Sequence, residues 1–182
     1  MLLEQWNESL VNKMKEGDAH AFEQCYRLLS PQIYTAIFNI CRDQGNANDL
    51  LQDTFVAAFE KIHSYTSGQQ LFIAWLKRIA FNKTFNFLKR HKLTLVGIND
   101  FDEAVSPPDN LEILQDQNDF LTGLLKQISH KERLIIWLFV VEQYSHEEIG
   151  KIVDKTSSYS KSVVARGLEK LRSKEEVKNY AY

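Results

Sequence analysis

Apolar residues in this 182-residue chain return at every third or fourth position along most of its length, a period that suits α-helices and little else. The clearest case is Leu51, Phe55, Ala58 and Ile62, at steps of four, three and four, with Asp49, Asp53, Val56 and Glu60 on the opposite face. One face of such a helix packs, and the other is left to water or to a partner. Trp6, Leu10, Val11 and Met14 form an earlier stripe that Gly17 closes. Asp18 reads as the N-cap of a second helix carrying Phe22, Cys25, Tyr26 and Leu29. Pro31 suits the first turn of a third, with Ile33, Tyr34, Ile37 and Ile40, and Gly45-Asn46 reads as the break before the Leu51 segment. With only 7 Gly and 3 Pro to interrupt it, the chain is expected to be all-α.

Charge is distributed in blocks. Lys61 to Asn99 holds no acid, yet carries Lys61, Lys77, Arg78, Lys83, Lys89, Arg90 and Lys92, with Tyr65, Phe72, Trp75, Phe81, Phe85 and Phe87 among them. Cations follow a phosphate backbone and aromatic faces accept unstacked bases, so this mixture suits partly single-stranded nucleic acid. A core helix with snorkelling lysines has the same composition. His63 to Gln70 reads as a loop, and a helix is expected from about Phe72 to Lys92, with Trp75, Leu76, Ile79, Phe87 and Leu88 turned inward. Composition then switches: Asp100, Asp102, Glu103, Asp109, Glu112, Asp116 and Asp119 gather around Pro107-Pro108, with no Lys or Arg between Leu93 and Leu125. This segment reads as an extended acidic linker, and the chain as two small helical domains.

Helical signals resume beyond it. Leu121, Leu124, Leu125 and Ile128 make a stripe, and Ser129 with Glu132 forms a capping box ahead of Leu134, Ile135, Leu138, Phe139 and Val141. Ser145 with Glu148 repeats that signature before Ile149, Ile152 and Val153, and after a break at Asp154 to Ser158 comes a last stripe of Val164, Leu168 and Leu171. A short capped helix, a tight turn and a second helix describe a helix-turn-helix, although any antiparallel helix pair looks similar. Tyr159, Ser162, Arg166, Glu169 and Ser173 lie opposite the inner stripe, with Lys161 on its flank, a face able to enter a DNA major groove.

The totals narrow the function. A net charge of −2 argues against a free-standing DNA binder that relies on its own positive field. Cys25 and Cys41 form no CxxC pair and read as small buried hydrophobes. His20, His63, His91, His130 and His146 are scattered, and no phosphate-cradling glycine loop or nucleophile with a nearby base appears, so no enzyme activity, metal or cofactor is expected. No signal peptide or membrane span is read from the sequence, which suggests a cytoplasmic protein.

Four blocks resemble the extracytoplasmic-function sigma factors of bacterial RNA polymerase, in the sigma-70 family. They are Gly17-Asp18 with Ala21-Phe22 and Tyr26; Asp49 to Phe55; Trp75-Leu76 with Arg78 to Ala80, Asn82 and Leu88 to Arg90; and Ser145 with Glu147 to Ile149, Lys161-Ser162, Arg166 and Leu171-Arg172. They keep the family's order and spacing on both sides of the linker.

The resemblance implies a promoter-specificity subunit with no chemistry of its own and no small-molecule substrate. It divides the chain into 1–92, a domain for polymerase docking and minus-ten element melting; 93–112, the acidic linker; and 113–182, a helix-turn-helix domain for the minus-thirty-five element. It assigns Asp49, Leu50, Gln52, Asp53, Val56 and Glu60 to core polymerase. It assigns His63, Tyr65, Phe72, Trp75, Lys77, Arg78, Asn82, Lys83, Asn86, Lys89 and Arg90 to the unpaired minus-ten strand, with the His63 to Leu71 loop as a pocket for an extruded base. It assigns Ser158, Tyr159, Lys161, Ser162, Ala165, Arg166 and Arg172 to the minus-thirty-five duplex. Partners implied are core RNA polymerase, promoter DNA and an anti-sigma factor, which in this family is often membrane-bound. Two departures stand out: Asp154 occupies a turn position that usually carries Gly, and Ser160 replaces an aliphatic residue on the inner face of the last helix. A hydroxyl there requires a partner. Two other functions remain open, a free-standing helix-turn-helix regulator with tight, salt-sensitive duplex binding, and a helical adaptor that touches only protein.

Overall fold

A computed structural model describes residues 8–66, 71–94 and 128–172. The regular elements among them are helical: α1 (Glu8–Lys15), α2 (Ala19–Cys41), α3 (Gln44–Glu60), a 3-10 turn (Ile62–Ser64), α4 (Phe72–Thr94), α5 (His130–Val140), α6 (His146–Ile152) and α7 (Ser157–Arg172). The chain divides into two compact units, Met1–Thr84 and Phe85–Tyr182, with the boundary inside α4. Of the linker read from 93–112, Leu93 and Thr94 still belong to α4, and residues 95–112, the Leu121 to Leu125 stripe, Trp6 and Ser173 lie outside the described residues.

In the first unit, α1 ends at Gly17, whose φ of +86° lies in the left-handed region that glycine enters without a Cβ clash. Asp18 caps α2 by accepting from the His20 and Ala21 amides at 2.8 and 3.3 Å. The helix expected to restart at Pro31 does not: α2 runs unbroken through it. Pro31 is exposed, where a missing amide and a displaced carbonyl can be compensated by water. The break before α3 also comes earlier than Gly45-Asn46. Arg42 takes the left-handed conformation (φ 57°) that ends α2, and Asp43 caps α3 by accepting from the Asn46 amide at 2.7 Å. A capping carboxylate outweighs the helix-breaking tendency of one glycine inside the first turn.

α3 packs on α2, with Ala47, Leu51, Phe55 and Ala58 facing inward and Phe22 and Tyr26 of α2 set against Phe59 and Phe55 at ring separations of 4.6 and 4.8 Å. Cys25 and Cys41 are buried thiols outside any disulfide, as the sequence suggests. Burial pushes the Cys25 thiol up to about 12. Its folded-state pKa therefore lies above the ordinary value of about 8.5, and the stability this contributes is complete below that value and lost as pH rises towards about 12. At pH 8 the native chain is expected to resist iodoacetamide at Cys25 while the urea-unfolded chain reacts. Mass spectrometry of the labelled peptides checks this, and equal labelling of both states would contradict it.

The second unit is built on capping boxes. Ser129 accepts from the Glu132 amide at 3.3 Å while the Glu132 carboxylate accepts from the Ser129 amide at 3.2 Å, which opens α5. Ser145 and Glu148 open α6 in the same way, at 3.3 and 2.9 Å. α5 and α6 both pack on α7, burying Leu134, Ile135, Leu138, Ile149, Ile152, Val163 and Val164. Val141, expected inside, is the exposed C-cap of α5. Among the described residues no helix is long and apolar enough to cross a membrane.

Candidate nucleic-acid interface

α3 presents Asp49, Gln52, Asp53, Val56 and Glu60 to solvent, Val56 with 57% of its surface open. Because Ala47, Leu51, Thr54, Phe55 and Ala58 fill the other side, this row is held on a rigid helix rather than a loop. Leu50, expected in the row, is 4% exposed and belongs to the core. It lies between the two faces in sequence, but its helical angle turns it inward.

Beside this row lies the first half of α4. Arg78 is exposed and Lys77, Asn82 and Lys83 are half-buried; further along the helix Asn86, Lys89 and Arg90 are exposed. Asn82 donates to the Arg78 carbonyl at 2.7 Å, and Arg90 Nε to the Asn86 carbonyl at 3.4 Å, so these side chains lie back along their own helix. The two faces meet where Lys83 Nζ comes within 3.7 Å of Asp53 Oδ2. An exposed pair at that distance contributes about 0–1 kcal/mol, so it positions the two chains more than it holds the fold.

The aromatic half of the Lys61 to Asn99 signal lies mostly inside. Tyr65 and Phe72, both expected to meet an unpaired strand, are 5% and 1% exposed. They form a cluster with Trp75, with centroids 5.1 to 5.5 Å apart, and Lys15 of α1 ties it down by donating to the Tyr65 carbonyl at 2.8 Å. Phe81 and Phe85 are buried as well. Apolar rings gain more from a core than from water, and a helix rich in both rings and cations sorts them onto opposite sides. Trp75 alone of the Tyr65, Phe72 and Trp75 cluster keeps a partly open face, and His63 is exposed. Of the loop expected to form a base pocket, residues 67–70 lie outside the described part.

In the second unit α6, a tight turn and α7 form the expected helix-turn-helix. The turn closes with the Lys155 amide donating to the Gly150 carbonyl at 2.9 Å, and Thr156 Oγ1 accepts from the Tyr159 amide at 3.2 Å. Asp154 adopts φ 52°, so the left-handed conformation is kept without glycine. Aspartate is among the few other residues that enter this region readily. Ser158, Lys161, Ser162, Ala165, Arg166 and Arg172 are exposed on α7, and Tyr159 partly so. The inner stripe is wider than Val164, Leu168 and Leu171 alone: Ser160, Val163 and Gly167 are buried too, Gly167 against Ile136 of α5. Sequence reasoning missed His146, whose Nδ1 lies 3.0 Å from the Ser160 hydroxyl. The signal was present, since a serine at an inner position implies a polar partner nearby.

Residues 25–94 match the model of sigma-70 region 2. ECF RNA polymerase sigma factor SigM of Bacillus subtilis is 26% identical over 157 residues, which span 83% of this chain and 93% of SigM. SigW of the same organism is 26% identical over 175 residues, 89% of this chain and 92% of SigW. The structure resembles the sigma factor RpoE from Bartonella quintana, solved with the anti-sigma factor NepR, at a TM-score of 0.62 and 25% identity over 88% of this chain and 98% of that one. Residues 25–94 thus match sigma-70 region 2, and along most of its length the chain is similar to extracytoplasmic-function sigma factors.

Proposed function

We propose that α3 docks on core polymerase through Asp49, Gln52, Asp53, Val56 and Glu60, that α4 captures the unpaired minus-ten strand, and that α7 reads the minus-thirty-five duplex. The observation that carries this reading is the juxtaposition of an acidic row on α3 and a basic face on α4, joined at Asp53 and Lys83. An acidic row suits a basic partner surface and steers assembly. The adjoining cations then lie where polymerase would present opened DNA. Arg78, Lys77, Lys83, Lys89 and Arg90 take the phosphates, Asn82 and Asn86 offer amides to base edges, and Trp75 and His63 offer stacking surfaces. Tyr65 and Phe72 support Trp75 from within rather than touching DNA. Polymerase supplies the nonspecific DNA affinity that a chain of net charge −2 lacks.

The partners are core polymerase and promoter DNA in the cytoplasm, with residues 1–92 and 113–182 as separate modules joined by the acidic linker. The solved likeness to a sigma factor bound by its anti-sigma factor supports a partner of that class for this chain as well.

Core polymerase supplied with this protein and a promoter library is expected to initiate promoter-dependent transcripts. Absence of such transcripts across the library would overturn the reading. Within that assay Arg166→Ala is expected to leave polymerase binding intact and to cost about 1–3 kcal/mol in recognition of the upstream element. Equal use of matched and scrambled upstream elements by wild type would remove α7 from DNA reading.

A further inference from the structure

We propose that His146 is a positioning residue for DNA reading, a ring on α6 that touches both α5 and α7 and aims α7 at the duplex. This rests on the assignment of α7 to the upstream element and adds how that helix is held.

The Ser160 side chain is 0% exposed in the first turn of α7, where it faces the core. A hydroxyl there costs free energy unless it is hydrogen-bonded. Its partner is His146 Nδ1 at 3.0 Å, from the first residue of α6, and either group can donate, depending on the imidazole tautomer. The same ring stacks on Phe139 of α5, with centroids 4.5 Å apart and planes 12° from parallel. Stacking sets the plane of the ring and the hydrogen bond sets the direction in which Ser160 must lie. The other buried side chains of α6 and the first half of α7 include the apolar Ile149, Ile152, Val163 and Val164. Apolar contacts supply stability but little direction, and they tolerate small shifts of one helix on another.

The consequence falls on the residues that follow. Lys161 and Ser162 come directly after Ser160, and Arg166 lies about 9 Å along the helix at 1.5 Å per residue. A tilt of about 10° at Ser160 displaces the helix at Arg166 by about 1.5 Å, enough to open a base contact whose useful range spans only a few tenths of an ångström. Serine in a first turn can also turn its hydroxyl back on the carbonyl four residues earlier, here Thr156. Loss of the imidazole is therefore expected to change the pose of α7 before it unfolds the unit.

The test uses the full chain with core polymerase on a promoter selected with the wild-type protein, in matched and scrambled upstream versions. His146→Phe keeps a ring on Phe139 and removes the hydrogen bond. Its matched-to-scrambled transcription ratio is expected to fall about tenfold, as for an unpaired buried hydroxyl, with polymerase affinity unchanged. His146→Asn returns a hydrogen-bonding atom near the Nδ1 position and is expected to recover most of the ratio, and His146→Phe with Ser160→Val recovers part of it through an apolar pair. If His146→Phe keeps the wild-type ratio while Arg166→Ala lowers it, the positioning role is overturned and DNA reading by α7 stands. If neither changes the ratio, both fall. A loss that follows a lowered melting temperature and that His146→Asn does not rescue also overturns the inference, because the ring would then only hold the fold.

Discussion

Asp53→Arg is expected to abolish the assembly of this factor with core RNA polymerase, a loss of about 2–5 kcal/mol for a reversed charge at an interface. Asp53 sits in the middle of the exposed α3 row, with Asp49 and Gln52 on one side and Val56 and Glu60 on the other. Its side chain is 65% open, and its ion pair with Lys83, at 3.7 Å, is the weak, exposed kind. The substitution should therefore leave folding nearly unchanged, lowering stability by no more than about 1 kcal/mol through repulsion between the new arginine and Lys83. Titration of labelled factor into core polymerase, followed by fluorescence anisotropy, measures the first effect, and thermal unfolding of the free factor measures the second. Equal polymerase affinity for wild type and Asp53→Arg would refute the docking role of α3. A large drop in melting temperature would instead show that Asp53 holds the fold.

The second large effect is expected at Gly150. In an ordinary helix interior, replacing glycine with alanine stabilises by about 0.5–1 kcal/mol. Here the sign reverses. A Cβ on Gly150 would lie 2.6 Å from the Lys155 carbonyl oxygen and 3.3 Å from the Ser157 amide nitrogen, both backbone atoms of the turn that leads into α7. Backbone cannot swing aside as a long side chain can, and the Gly150 carbonyl is also fixed by the Lys155 amide at 2.9 Å. Gly150→Ala is expected to cost about 1–3 kcal/mol, with Gly150→Val at or beyond the upper end. Hydrogen exchange should place the loss in α6 and α7, while amides of α2 and α3 keep their protection. Upstream-element recognition should fall with it, and polymerase docking through α3 should not. A stability gain from Gly150→Ala would mean that the turn passes further from α6 than the structure places it.

Gly167 makes a useful contrast. Its Cβ would meet the end of the Ile136 side chain, which can change rotamer, so the same substitution there is expected to cost less.

The helical stripes, the two capping boxes and the N-cap at Asp18 could be read from the sequence because each depends on residues within four positions of one another. The same is true of the acidic row of α3, since a regular helix converts spacing directly into faces. Pro31 and Gly45 misled for the complementary reason: a local breaker predicts a helix end, but α2 runs through the exposed Pro31, and the caps at Arg42 and Asp43 set the break ahead of Gly45. Tyr65 and Phe72 show a different limit. Composition cannot say which rings of an aromatic, basic helix face its cations and which face its core. That was decided by Trp75 and Lys15, the latter fifty positions away from Tyr65 in the chain.

An all-helical chain, its caps, the acidic face of α3 and the family to which its four blocks point were all legible in the residues alone, because those signals are local or ordered along the chain. It took the packed molecule to show that Tyr65 and Phe72 are core, that Asp53 reaches Lys83, and that His146 answers the buried hydroxyl of Ser160. One cause underlies all three. Burial and pairing are settled by which elements pack together, and that packing follows from the whole fold rather than from any stretch of it.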